Sequence, residues 1–183
     1  MKLLFFSDVH GSPESLARLA ERIAERQPEQ LLLLGDALYH GPRNPLKPDY
    51  NPQLVVQQLN QWKNRLIAVR GNCDCEVDQM LLEFPLMADY AVVLTDDRKF
   101  FLSHGHLWTP DHLPPLNSGD VFVYGHTHIP QLERLDSGVI AFNPGSISLP
   151  KQQFPPSFGF YENGLLSVCQ LENGAPMMQL KLT

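Results

Sequence analysis

Five short apolar runs in this chain each end in a residue that can bind a metal ion or donate and accept hydrogen bonds. Residues 3–7 run into Asp8-Val9-His10, 31–34 into Gly35-Asp36, and 66–69 lead to Gly71-Asn72. Residues 100–102 lead to His104-Gly105-His106, and 121–124 to Gly125-His126-Thr127-His128. A short continuous apolar run closed by Gly and a polar residue reads as a strand buried on both faces. Open α/β sheets collect their ligand sites along the carboxyl edge of such strands. The pattern therefore restricts the chain to an α/β fold whose strand ends carry the chemistry. Seven oxygen and imidazole ligands reaching that edge together, with no thiolate in the core set, point to a site for more than one divalent metal.

The intervening segments fit this reading. Ser12-Pro13-Glu14 offers an N-cap, a proline at the first helical position and an acid in the first turn. Leu16, Leu19, Ala20 and Ile23 follow at helical spacing, and Pro28 lies just past the end. Strand, helix and next strand form a βαβ unit, which requires a parallel pair. Residues 41–52, rich in Pro and Asn and carrying Arg43, read as a loop at the mouth of the site. Helices are expected at about 53–62 and 76–82. Residues 91–94 and 98–102, joined by Asp96-Asp97, read as a hairpin. So do 131–135 with 139–142, and 158–161 with 165–169 across Asn163-Gly164. Residues 177–182 close an edge, and the Pro-rich stretch 110–116 forms a rim. The expected product is one domain over 1–183, a four-layer α/β/β/α sandwich of two mixed sheets flanked by helices.

Length and charge set the outer limits. A chain of 183 residues builds one well-buried domain more readily than two. The formal charge of −6 argues against an extended nucleic-acid surface, which needs a basic face. Small phosphorylated substrates stay open, since bound cations invert the local charge. No apolar run approaches the roughly 20 residues that span a membrane, and the N-terminal run reads as a strand rather than a signal peptide. Three cysteines make no disulfide framework. The expected location is cytoplasmic. Apolar edges in the C-terminal β region leave room for a homo-oligomer.

Asp8 and His10 stand two residues apart, which at extended geometry puts both side chains on one side, and His126 and His128 share that spacing. Asp36 and Asn72 each follow a glycine, and His104 follows another strand. An isolated Asp after a strand is commonly a turn residue or helix cap, and an isolated His is commonly just hydrogen-bonded. Two acids and four histidines meeting at one sheet edge, however, would be poorly satisfied without cations.

Asp8-x-His10, Gly35-Asp36, Gly71-Asn72, His104 and Gly125-His126-x-His128, in this order, resemble the five-part signature of the calcineurin-like metallophosphoesterases. Gly105-His106 and Asn143-Pro144-Gly145-Ser146 extend the likeness, and Gly71-Asn72-Cys73-Asp74 with the chain length is most similar to the small bacterial YfcE-type phosphodiesterases. The resemblance implies the metallophosphoesterase fold and a metal-dependent phosphodiesterase in which metal-activated water attacks a small phosphodiester. It implies two divalent ions: Asp8, His10, Asp36 and His128 holding one, Asp36, Asn72, His104 and His126 the other, with Asp36 bridging. A carboxylate has two oxygens with which to bridge, which an imidazole lacks. The ligand chemistry suits Mn²⁺, Fe, Co, Ni or Zn; the resemblance favours Mn²⁺. The same site would serve a phosphomonoesterase or a pyrophosphohydrolase, and the same fold serves non-catalytic protein-binding scaffolds.

Arg43 is the candidate contact to the charge that builds on the phosphoryl group, against a solvated loop arginine. Many relatives have a histidine where this chain has Cys73, with Asp74 placed to orient it; cysteine is a weak donor, so leaving-group assistance from Cys73 is in question, as is the role of Asp74. His106 is expected to orient His104 or touch substrate, while His40 reads as an ordinary loop residue. Residues 143–146 are expected to turn tightly at the metal edge. Trp108 and Phe154 suit packing better than substrate contact. Loops 37–52 and 107–118 are expected to shape the pocket.

Overall fold

The computed structural model describes residues 1–95 and 98–182; the expected Asp96-Asp97 turn lies outside the described residues. Strands β1 (Lys2–Phe6), β2 (Gln30–Leu33) and β3 (Leu66–Ala68) are parallel, in register Phe6 to Leu33 to Ala68. Antiparallel β9 (Ser157–Glu162), β10 (Leu165–Gln170) and β11 (Pro176–Lys181) complete a six-stranded sheet in the order β11-β10-β9-β1-β2-β3. The second sheet contains β4 (Tyr90–Leu94), β5 (Lys99–Ser103), β6 (Val121–Val123), β7 (Gln131–Arg134) and β8 (Ile140–Asn143), ordered β4-β5-β6-β8-β7. Both sheets are mixed, and β5, β6 and β8 run parallel.

Side-chain alternation sorts the apolar residues into layers. Leu3, Phe5 and Leu32 point from the first sheet onto Phe100, Val121, Val123 and Phe142 of the second. Phe5 meets Phe142 edge to face at 5.2 Å. On the opposite side, Leu4, Phe6, Leu31 and Leu33 pack against helix α1 (Pro13–Arg26) through Leu16, Leu19 and Ile23, and against helix α2 (Pro52–Asn60) through Val55 and Leu59. These strands are buried on both faces, which is why they read as unbroken apolar runs. Ser12 caps α1 by accepting from the Ser15 N–H. Helix α2 ends two residues before the expected 62, because a 3₁₀ turn at Lys63–Arg65 takes over. Helix α3 (Glu76–Leu81) is short.

The α/β class and the two-sheet sandwich are as expected. The outer flank of the second sheet differs in detail. There Trp108, Leu113 and Leu116 of the Pro-rich loop cover Phe101, Phe122 and Tyr124. Loop residues, rather than a helix, bury that face. This also corrects the expectation of a rim: 110–116 packs on the sheet, and Trp108 stands edge-on to Phe101 at 5.6 Å.

The expected apolar edge in the C-terminal β region is corrected as well. Met177, Met178 and Leu180 of β11 pack against the inter-sheet core. Exposed large apolar side chains lie instead on α3 (Val77, Met80, Leu81) and on edge strand β4 (Tyr90, Val92, Leu94). Among the described residues no helix is long and apolar enough to cross a membrane.

Candidate metal centre

Register brings the ends of β1, β2 and β3 level, and with them Asp8, Asp36 and the Gly71-Asn72 turn. The parallel strands β5 and β6 do the same for His104 and the segment 125–128. The two sheets meet where Gly125 crosses Ser7. A Cβ at Gly125 would lie 2.0 Å from Ser7 Oγ, so glycine alone permits this approach. The His126 N–H then donates to Asp8 Oδ2 at 3.1 Å, tying one sheet edge to the other.

Asp8, His10, Asp36, His126 and His128 all have positive φ, between 47° and 65°. Left-handed backbone is uncommon outside glycine and costs of order 1–3 kcal/mol per residue. The expectation that Asp8/His10 and His126/His128 share a side through extended geometry is therefore corrected: left-handed turns, not strand alternation, aim these side chains. The His128 ring packs 5.1 Å from His10, while the His126 ring packs 5.1 Å from His104, so the second pair divides between two halves of the site.

In the first half, His10 Nδ1 donates to Tyr39 O at 2.7 Å and His128 Nδ1 to Leu149 O at 2.6 Å. A carbonyl can only accept, so each Nδ1 carries a proton and each neutral ring presents a bare Nε2. These two Nε2 atoms face each other at 3.3 Å. Asp8 Oδ1, buried and without a hydrogen bond, is 3.2 Å from His128 Nε2 and 3.7 Å from His10 Nε2. These three ligand atoms converge on one point, an arrangement that fits a cation.

The second half repeats the logic. His104 Nδ1 donates to Leu34 O at 2.6 Å, and its Nε2 lies 3.1 Å from Asn72 Oδ1 and 3.4 Å from Asp36 Oδ2. Asp36 Oδ2 is also 3.7 Å from His10 Nε2, so one carboxylate oxygen faces both halves. Its other oxygen accepts the Cys73 N–H at 2.8 Å, which fixes the orientation.

Burial opposes ionisation of Asp8 and Asp36, but the surrounding imidazoles outweigh it and hold both carboxyls below their ordinary range. Burial likewise disfavours a charged His104, yet its contact with Asp36 and the charges of Asp8 and Asp36 raise it to about 9. Without metal, His104 is thus protonated at neutral pH. Metal ligation needs the neutral ring, so loading near pH 7.5 is expected to release about one proton. Calorimetric titration in buffers of different ionisation enthalpy measures this. A binding enthalpy independent of the buffer would contradict it.

Asp74 holds the frame of the site. Its Oδ2 accepts from Asp36 N at 2.8 Å and Gly71 N at 2.7 Å, and its Oδ1 from Ala37 N at 2.8 Å. Both oxygens are engaged with backbone, so Asp74 orients the strand ends rather than a side chain at position 73. Cys73 lines the cavity; burial, and next the charge of Asp36, push its thiol up to about 12, leaving a neutral thiol. His10, Asp36 and Cys73 nevertheless bring ligand atoms within 4.8 Å of one another. Asn143 Nδ2 donates to Gly125 O (2.8 Å), and the Ser146 and Ser148 hydroxyls both donate to Asp8 O (2.8 Å), bracing the turns that aim His126 and Asp8.

The cavity above these ligands measures about 370 Å³. Asp36, Asn72, His126 and His128 contribute to it, as do Gly41, Arg43, Asn44, Thr127 and Lys151. Arg43 therefore reaches the site. His106 does not line it; its ring lies 5.4 Å from that of His104. His40 is held between the rings of Tyr39 and Tyr50. Loop 107–118 contributes nothing to the cavity, against expectation. Lys151 was not singled out by any sequence pattern. Its only signal was its place shortly after the 143–146 turn.

Residues 1–163 match the model of the calcineurin-like phosphoesterase superfamily domain. The chain is 47% identical over 182 residues to "Phosphodiesterase YfcE" of Escherichia coli K12, covering 100% of this chain and 98% of that protein. It is 28% identical over 153 residues to "Phosphodiesterase MJ0936" of Methanocaldococcus jannaschii, covering 79% and 83%. The solved structure of Yfce, a phosphoesterase from E. coli, superposes with a TM-score of 0.97 at 48% identity, with both chains fully covered. By full-length likeness, fold and family match, this chain belongs to the calcineurin-like phosphoesterase superfamily.

Proposed function

We propose that this protein is a metal-dependent phosphodiesterase that hydrolyses small phosphodiesters through a dinuclear centre. The observation that carries the reading is the convergence of inward-facing Nε2 atoms and carboxylate oxygens at two adjacent points that share Asp36 Oδ2. Asp8, His10, Asp36 and His128 would hold one ion, and Asp36, Asn72, His104 and His126 the other. When bound, such ions polarise phosphoryl oxygens and acidify water. The names of the two phosphodiesterase relatives support the reaction class.

The chain's own residues supply the rest. Nδ1–H bonds to Tyr39, Leu34 and Leu149 carbonyls lock three imidazoles with Nε2 inward, so little reorganisation accompanies binding. Arg43 has no carboxylate within ion-pairing distance among the described residues, which leaves its guanidinium for phosphoryl oxygens as charge builds there. Cys73 presents a neutral, weak S–H donor at the same wall. This favours substrates whose leaving group departs without a strong acid. We propose Mn²⁺ as the preferred ion, since a histidine-rich set suits it better than Mg²⁺, which prefers oxygen ligands and keeps its waters. Three free cysteines support a cytoplasmic location.

Protein stripped with chelator and dialysed is expected to lose hydrolysis of an aryl phosphodiester. Mn²⁺ should restore it better than Mg²⁺, with about two ions bound per chain. Full activity in excess chelator, or a single bound ion at full activity, would refute the mechanism. Faster turnover of the matching aryl monoester would move the assignment to a phosphomonoesterase.

A further inference from the structure

Resting on the phosphodiesterase reading, we infer that Lys151 is a specificity-determining residue that binds a second anionic group, such as a carboxylate or phosphate, on one ester arm of the substrate. Lys151 lines the same cavity as Asp36, Asn72, His126 and His128. Its backbone is fixed to the site: the Lys151 N–H donates to His128 O at 3.2 Å, and two residues earlier Leu149 O accepts from His128 Nδ1. The lysine is thus carried by the segment that orients the His128 imidazole.

Two different segments bring cations to the cavity wall. Gly41 and Asn44 approach Cys73: a Cβ at Gly41 would meet the Cys73 sulfur at 3.2 Å and the Asn44 amide at 3.2 Å. Arg43 belongs to that segment, while Lys151 is tied through its N–H to His128. A diester seated over Asp36 and Asn72 lays its ester arms along these walls. Arg43 answers the charge of the scissile group. A monoanionic diester leaves Lys151 without a counter-charge.

The protein supplies none either. Lys151 is exposed, forms no ion pair with any described residue, and the one carboxylate that lines the cavity is Asp36, which faces His10 and His104. In a chain of net charge −6, two unpaired cations on the walls of one cavity select for a substrate with more than one negative charge. A lysine suits this task, since its ammonium is a compact point charge on a flexible stem that accepts either carboxylate or phosphate.

The test uses p-nitrophenyl phenyl phosphate and its analogue with a carboxylate on the phenyl arm, hydrolysed by the Mn²⁺-loaded full chain. The wild type is expected to prefer the carboxylated diester by about five- to tenfold in kcat/KM at low salt. Rising ionic strength should erode the preference. Lys151→Gln should abolish it and Lys151→Arg should retain it. Calorimetric binding of benzylphosphonate and 4-carboxybenzylphosphonate to the same three proteins gives a readout independent of turnover and should show the same order. No preference in the wild type, or an undiminished preference in Lys151→Gln, overturns the inference. A wild type that hydrolyses neither diester defeats the phosphodiesterase reading instead, and the calorimetric comparison then decides Lys151 by itself.

Discussion

Asp36→Asn is expected to lower kcat/KM for a phosphodiester by about a thousandfold or more, equivalent to roughly 4 kcal/mol of transition-state stabilisation. It should also weaken both metal positions together. The reason is the single oxygen, Oδ2, that faces His10 at 3.7 Å and His104 at 3.4 Å. In the variant, the Cys73 N–H still needs an acceptor and keeps the amide oxygen, so the NH₂ group takes the place of Oδ2. A donor then points at His10 and His104 where the shared carboxylate oxygen stood, which repels cations. The variant also loses the Asp36–His104 ion pair that keeps His104 protonated without metal, so its metal-free melting temperature should lie below that of the metal-free wild type. His10→Ala, in contrast, should mainly weaken one position. Metal counting on the three proteins reads the result. An Asp36→Asn protein holding two ions at wild-type affinity would disprove the shared carboxylate.

Gly71→Ala is expected to destabilise the fold by about 3 kcal/mol and to disable metal binding, although the change adds one methyl group outside the ligand set. The Cβ would lie 2.1 Å from Asp36 Oδ1 and 2.4 Å from Asp36 N. Both atoms are held in the frame: Asp36 N donates to Asp74 Oδ2, which also accepts the Gly71 N–H, and Asp36 Oδ1 accepts the Cys73 N–H. The neighbouring Gly35 is as tight, with its Cβ direction 2.4 Å from Gly71 N. The ends of β2 and β3 cannot separate without giving up the bonds that hold Asp36. Denaturant unfolding in the presence of chelator isolates the stability term, and metal titration isolates the binding term. Wild-type stability with two ions bound would show that the strand ends tolerate separation.

Much of the site was legible because its signals are local. A βαβ unit demands a parallel pair, and parallel strands buried on both faces read as unbroken apolar runs, as in 3–6 and 31–33. Once those strands are parallel and adjacent, the residues after them share an edge, so the meeting of Asp8, Asp36 and Asn72 at that edge could be expected without coordinates. The cap at Ser12 and the Asn163-Gly164 hairpin are equally short-range devices.

The misreadings fall where a residue's role depends on what lies across the molecule. Asp8, His10, His126 and His128 looked like extended side-by-side pairs, yet each adopts left-handed backbone. No spacing rule encodes this; the conformation is held by contacts such as His126 N–H to Asp8 and Ser146 to the Asp8 carbonyl, which span more than a hundred residues. Asp74 was read beside its neighbour at 73, and the three backbone N–H groups it accepts from the ends of two strands were not legible in the sequence. The loop at 107–118 looked like pocket wall because it follows His104 and His106 in sequence. Its Trp108, Leu113 and Leu116 bury an apolar sheet face that no helix covers among the described residues, and that burial decides its place.

By itself, the sequence determined the main strands, their parallel core and the polar residue types at their ends, because periodicity and strand-end chemistry act over a few residues. Only the tertiary structure decided which imidazole joins which half of the site, which carboxylate oxygen faces both, and that Arg43 and Lys151 share one cavity. Those outcomes depend on the packing of one sheet against the other through Gly125 and Ser7, a contact between segments remote in the chain.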